Sequence, residues 1–113
     1  MLQEASLAAP AWQEARVVSV FLGGGTPTTM APVDLRALLV HLQTTYVVDP
    51  AAEITTEANP DPVDRVSLEG LLVSGVDRLS MGAQSFDPSV LRELERLHSP
   101  DSVRRAFGAA RDA

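Results

Sequence analysis

Hydrophobic positions change their period several times along the chain. Arg16 to Leu22 (RVVSVFL) is almost continuously apolar and rich in Val, the pattern of a strand covered on both faces. Gly23, Gly24 and Gly25 end it. Leu35, Leu38, Leu39 and Leu42 then recur at helical spacing, predicting a helix from about Val33 to Tyr46 with Pro32 near its first turn. Glu53 to Glu57 (EITTE) reads as a second strand, closed by Asn59-Pro60. Asp61 is the expected cap of the next helix, with Pro62 at its first position. Its apolar face would use Val63, Val66, Leu71 and Leu72, and Gly75 would follow its C-terminus. Val76 to Met81 is a third strand, interrupted by Asp77 and Arg78. Asp87-Pro88 opens a helix with Val90, Leu91, Leu94 and Leu97 on one face. Ser99-Pro100 opens a last helix carrying Val103, Ala106, Phe107 and Ala110. Ahead of all these, Leu2 and Leu7 suit a helix that stops before Pro10.

Strands alternating with helices predict an α/β fold of parallel βα units joined by right-handed crossovers. In such folds ligands lie at the C-terminal ends of the strands. The segments that matter are therefore Gly23 to Pro27, Glu57 to Pro60 and Gly82 to Phe86.

Length and composition narrow the classes. With 113 residues, 45% of them hydrophobic and 21% charged, the chain has the make-up of one globular domain spanning 1–113. A net charge of −6 argues against sequence-independent binding to nucleic acid, which needs clustered basic residues. No apolar run approaches the roughly 20 residues that cross a bilayer, and no signal peptide is apparent, so the expected compartment is the cytoplasm. The absence of cysteine removes disulfides and any thiolate-held metal or cluster made by this chain alone.

Gly23-Gly24-Gly25-Thr26-Pro27 follows the first strand directly. Its glycines let backbone approach a ligand closely, or merely make a tight turn; Pro27 restricts Thr26 to an extended conformation. The segment is neither a Walker A loop nor a dinucleotide fingerprint, because the required Lys and the third glycine are missing. Glu57, at a strand end, either accepts a hydrogen bond from an ammonium or hydroxyl group or is a solvated loop residue. Gln84 offers an amide that donates and accepts beside Gly82, or is a polar loop residue. Arg96, expected on a helix, suits a two-pronged pair with a carboxylate or a place on the surface. His41 and His98 carry no assigned chemistry, and Met30 and Met81 are core candidates.

Taken in order, FLGGGTPT (Phe21–Thr28), EITTEANPD (Glu53–Asp61), GVDRLSMGAQSF (Gly75–Phe86) and LERLH (Leu94–His98) resemble the radical S-adenosylmethionine (SAM) family of the oxygen-independent coproporphyrinogen III oxidase type. The resemblance runs from Val17 to Ala110. It implies about half of a (β/α) partial barrel. It also implies that Gly23, Gly24, Gly25 and Thr26 meet the amino group of SAM, that Glu57 bonds its ribose region, and that Arg96 neutralises its carboxylate. Gln84 takes the family's glutamine position. Two departures stand out: Ala83 where valine is commoner, and Glu95 where glycine often precedes the arginine.

The family's chemistry starts at a [4Fe–4S] cluster on a C-x3-C-x2-C motif. The resemblance places those cysteines upstream of Met1 and the remaining strands beyond Ala113. It implies a parent protein that acts on a tetrapyrrole or carries haem. The chain by itself is expected to be inactive and, with both sheet edges open, to self-associate. The alternative is a plain α/β domain whose glycines are only turns.

Overall fold

The computed structural model describes residues 1–61 and 63–113. Three parallel strands, β1 (Arg16–Leu22), β2 (Val47–Ala58) and β3 (Arg78–Met81), form one sheet in the order β1-β2-β3. Helices α2 (Pro32–Thr45) and α3 (Arg65–Ser74) make the two crossovers, while α1 (Leu2–Ala8) precedes the sheet. Helices α4 (Pro88–Glu93) and α5 (Pro100–Asp112) follow it.

Register explains which face each side chain takes. Val20 is opposite Ile54, Leu22 opposite Thr56, and Thr56 opposite Leu79, so these share one face. That face meets Leu35, Leu39, Leu71 and Val76, with Met30 and Leu42 packed alongside. Each well-buried aliphatic chain there contributes about 1.5–3 kcal/mol by leaving water. The opposite face carries Ser19, Phe21, Glu53, Thr55 and Arg78. There the Glu53 carboxylate accepts from Thr55 Oγ1 at 3.0 Å and from Arg78 Nη1 at 3.3 Å.

Several expectations need correction. Strand β1 is an edge strand covered on one face only: Val20 and Leu22 pack on the core, whereas Phe21 on the other face is 58% exposed. Strand β2 starts at Val47, well before Glu53, because its pairing with β1 jumps from Val17↔Val48 to Ser19↔Glu53. Such a bulge carries extra residues that strand periodicity does not announce. Strand β3 is shorter than Val76–Met81: Asp77 uses its side chain, accepting from the Ile54 amide at 2.8 Å, and Val76 is buried in the core.

Helix α3 is capped by Asp64, not Asp61, through a reciprocal pair with Ser67. The expected place of Pro62 lies outside the described residues. With the cap at Asp64, Val63 precedes the helix, and the face turned to the core is that of Leu68 and Leu71, while Val66 and Leu72 are exposed. Gly75 does end α3, at φ 101, a left-handed conformation that glycine adopts without a Cβ clash. Helix α4 stops at Glu93, which leaves Leu91 buried, Leu94 half exposed and Leu97 fully exposed. The helical face expected of Val90, Leu94 and Leu97 therefore does not form. In α5, Val103 and Ala106 are buried but Phe107 is 58% exposed.

Candidate strand-end site

All three strands run the same way, so their C-terminal ends open on one rim. The loop after β1 turns at Gly24, whose φ of 107 demands glycine. Thr26 sits at φ −141, ψ 88, just short of the extended conformation expected before Pro27, and its carbonyl accepts from Thr29 N–H at 3.0 Å and Thr29 Oγ1 at 2.7 Å. A short 3-10 turn over Pro27–Thr29 thus braces the loop before α2 begins.

Beyond the rim is an open cleft of about 190 Å³, bordered by Gly25, Thr26, Glu57, Asn59, Gln84 and Arg96, with Ser80, Met81 and Gly82 beneath. Four sequence-predicted residues besides Gly25 are thereby brought together: Thr26, Glu57, Gln84 and Arg96. Gly23 contributes from behind. A Cβ there would come within 2.8 Å of the Phe21 ring and 3.2 Å of Glu57 Oε2, so the missing side chain is the space that Glu57 occupies. At Gly24 an added Cβ would meet open space, so it is the positive φ that requires glycine there.

Arg96 differs from expectation in its setting. It is not on a helix: α4 has ended, and Glu95 adopts φ 53 to turn the chain back. That left-handed conformation explains why the resemblance puts glycine at this position. The turn brings Arg96 Nη2 to 3.1 Å from Asn59 Oδ1, on the loop after β2. Asn59 lies in the strand-end segment singled out from the sequence, but no role was assigned to it there. It looked like a strand breaker, and its partner is 37 residues away, a distance no local pattern reports. Met81, a core candidate in the sequence, borders the cleft instead.

The electrostatics are dipolar. Among the described residues, neither Glu57 nor Arg96 belongs to an ion pair, so one carboxylate and one guanidinium face the cleft uncompensated. A ligand that brings a hydroxyl or ammonium toward Glu57 and a carboxylate toward Arg96 suits that arrangement. Gly82 keeps the floor low, since a Cβ there would lie 3.0 Å from Gln84 Nε2 and 3.6 Å from Arg96 Nη2. These features fit SAM. They do not fit an iron–sulfur cluster: the chain has no cysteine, and no cluster of His, Asp and Glu among the described residues would hold a metal.

A parallel α/β sheet with a polar cleft at the C-terminal ends of its strands defines the class of a barrel-derived α/β domain. The sequence profile of the Radical SAM superfamily matches residues 4–113, and the chain belongs to that superfamily. It is 38% identical over 98 residues to the oxygen-independent coproporphyrinogen III oxidase of Bradyrhizobium diazoefficiens, covering 87% of this chain and 22% of that protein. It is equally 38% identical over 110 residues to the heme chaperone HemW of Mycobacterium tuberculosis, covering 97% and 27% respectively. Among solved structures, coproporphyrinogen III oxidase (HemN) from Escherichia coli, a radical SAM enzyme, superposes with a TM-score of 0.83 at 30% identity. That match covers 98% of this chain and 26% of the other. The chain thus spans about a quarter of the length of these relatives. Its sheet is a partial barrel of the radical SAM type.

Proposed function

We propose that this chain is the SAM-binding central part of a radical SAM protein that acts on a tetrapyrrole, in the manner of an oxygen-independent coproporphyrinogen III oxidase. The observation that carries the reading is the cleft in which Glu57, Gln84 and Arg96 converge on the Gly25-Thr26 loop. In it, the Gly23–Thr26 backbone approaches the amino group, Glu57 holds the ribose region and Arg96 neutralises the carboxylate. Gln84 closes the floor above Gly82. These residues bind and orient; none is assigned a proton-transfer role. SAM held by these residues would supply, on reductive cleavage at a [4Fe–4S] cluster whose ligands lie outside this chain, a hydrogen-abstracting group. In a parent of the oxidase kind, the net result would be conversion of coproporphyrinogen propionates to vinyl groups with loss of CO2 and of one electron to an acceptor that the parent must engage, a step in porphyrin and haem biosynthesis.

A second reading rests on the equal similarity to a heme chaperone. In it the parent binds and delivers haem instead of decarboxylating its precursor. Haem binding measured on the full-length parent, beside turnover of coproporphyrinogen, separates the two.

Calorimetric titration of the chain with SAM tests the site itself. Arg96→Met removes a charge-assisted partner of the carboxylate and is expected to weaken binding on the order of tenfold to a hundredfold. Glu57→Gln is expected to weaken it less, because an amide still offers an acceptor. Equal affinity of all three proteins would leave the glycines as simple turns and the site as an ordinary loop cluster.

A further inference from the structure

The strand-end site depends on a residue that the site itself does not contain. His98 is only 6% exposed and lies on the segment between α4 and α5. Its Nε2 lies 2.9 Å from the carbonyl oxygen of Ala83, on the loop after β3. A carbonyl can only accept, so Nε2 carries the proton and donates it.

The loop that receives this bond is strained. Ala83 N–H reaches back to the Met81 carbonyl at 2.9 Å, and Ser85 N–H reaches back to the Ala83 carbonyl at 2.7 Å. These are successive three-residue turns, and the second has Gln84 at its centre with φ 59. A three-residue turn with positive φ at its centre is the rarer and more strained kind, and glutamine has no local means of offsetting it. Strain of this sort persists only where surrounding contacts over-determine it. The Ala83 carbonyl therefore has two donors, Ser85 N–H from within the turn and the buried imidazole from outside.

The same bond joins two walls of the cleft. On one side it holds the carbonyl immediately before Gln84; on the other it anchors the chain just after Arg96, which has turned through Glu95 at φ 53. Gln84 and Arg96 face each other across Gly82, with Arg96 Nη2 held by Asn59 Oδ1. Among the described residues, the imidazole bond is the hydrogen bond that joins these two left-handed turns directly.

We propose that His98 is a positioning residue: its Nε2–H clips the β3–α4 loop to the α4–α5 segment and so sets Gln84 against Arg96 for ligand. The inference rests on the reading of the cleft as a SAM site for its affinity test, but not for its structural test. It requires no change of charge on the imidazole.

Two substitutions separate donor from bulk. His98→Met fills a similar volume without a donor, whereas His98→Gln places an amide N–H at about the reach of Nε2. Hydrogen exchange of the unliganded chain, read by mass spectrometry over residues 82–87 and 94–98, gives the structural answer. Exchange in both segments is expected to speed up together in His98→Met and to stay near wild type in His98→Gln, while the β2 segment is unchanged in each. Calorimetry with SAM is expected to give about tenfold weaker binding for His98→Met, the size of one lost buried hydrogen bond, and a largely restored affinity for His98→Gln. Wild-type exchange in both segments of His98→Met overturns the clip, as does SAM affinity unchanged by that substitution. If wild type itself does not bind SAM, the cofactor reading fails and the exchange data alone decide the clip. If His98→Met does not fold, His98→Gln decides: native exchange supports the clip, and loosened loops in that folded variant overturn it.

Discussion

At the scale of single residues, the cleft is shaped as much by side chains that are missing as by those present. Gly23 leaves room for Glu57, and Gly82 leaves room for Gln84 and Arg96. Gly23→Ala is expected to push the Glu57 carboxylate, because the Phe21 ring at 2.8 Å is crowded from the other side. SAM binding should fall about tenfold, while the thermal midpoint drops only slightly, since the residue borders an exposed loop. Calorimetry beside a melting curve reads both; unchanged affinity would show that Glu57 moves freely. Much of this cleft was legible in the sequence, because Gly23–Thr26 and Gln84 follow strands, Glu57 lies at the end of one, and strand ends converge. The roles of Asn59 and His98 were not legible. Each acts through a contact between segments distant in sequence, and neither residue type announces its partner.

At the scale of elements, boundaries follow the caps. Helix α5 starts where Ser99 and Ser102 exchange hydrogen bonds, and Pro100 fits its first turn. Ser99→Ala should cost about 1 kcal/mol in a denaturant titration. Helices α3 and α4 begin instead on carboxylates. Hydrogen bonds from Ser67 hold Asp64 below its ordinary value, and hydrogen bonds from Ser89 do the same for Asp87. Both folded values are depressed, so both carboxylates stabilise the fold above the ordinary aspartate range near about 4. That contribution is lost as pH falls through the lowered folded values. Asp64→Asn keeps a capping group without the charge. Its midpoint should therefore fall less steeply than wild type when melts are run at successively lower pH; parallel curves would sink the assignment. Asp61 and Asp64 are equally good caps by residue type, and only the reciprocal bond with Ser67 selects the second. Within α3 the buried face runs through Leu68 and Leu71, three residues apart, while Val66, two residues before Leu68, falls on another side and is exposed.

At the scale of the molecule, the chain is extended for its size. Its radius of gyration is 16.0 Å, where a compact chain of this length has about 13 Å. Its accessible surface of 7594 Å² likewise exceeds the about 6,000 Å² expected for 12.1 kDa. Part of the excess lies in α1, which buries no residue, and part in features that a closed barrel would cover: the second face of β1 with Phe21, and two sheet edges, β1 and β3. Unpaired edges beside exposed apolar side chains are templates for association. Sedimentation velocity on the chain alone should show a weight-average mass that rises with concentration. A concentration-independent monomer with a sharp thermal transition would contradict this. No helix among the described residues is long and apolar enough to cross a membrane.

The sequence by itself determined the alternation of strands and helices, the parallel topology and the rim on which a ligand would be met. Those follow from local period, caps and glycines, each set within a few residues. Only the tertiary structure decided which face of β1 is open, where β2 and β3 begin, and that Arg96 leaves its helix to meet Asn59. It alone revealed the buried bond from His98 to Ala83. Such features depend on which distant segments come into contact, and that is fixed by packing of the whole sheet, not by any stretch of it.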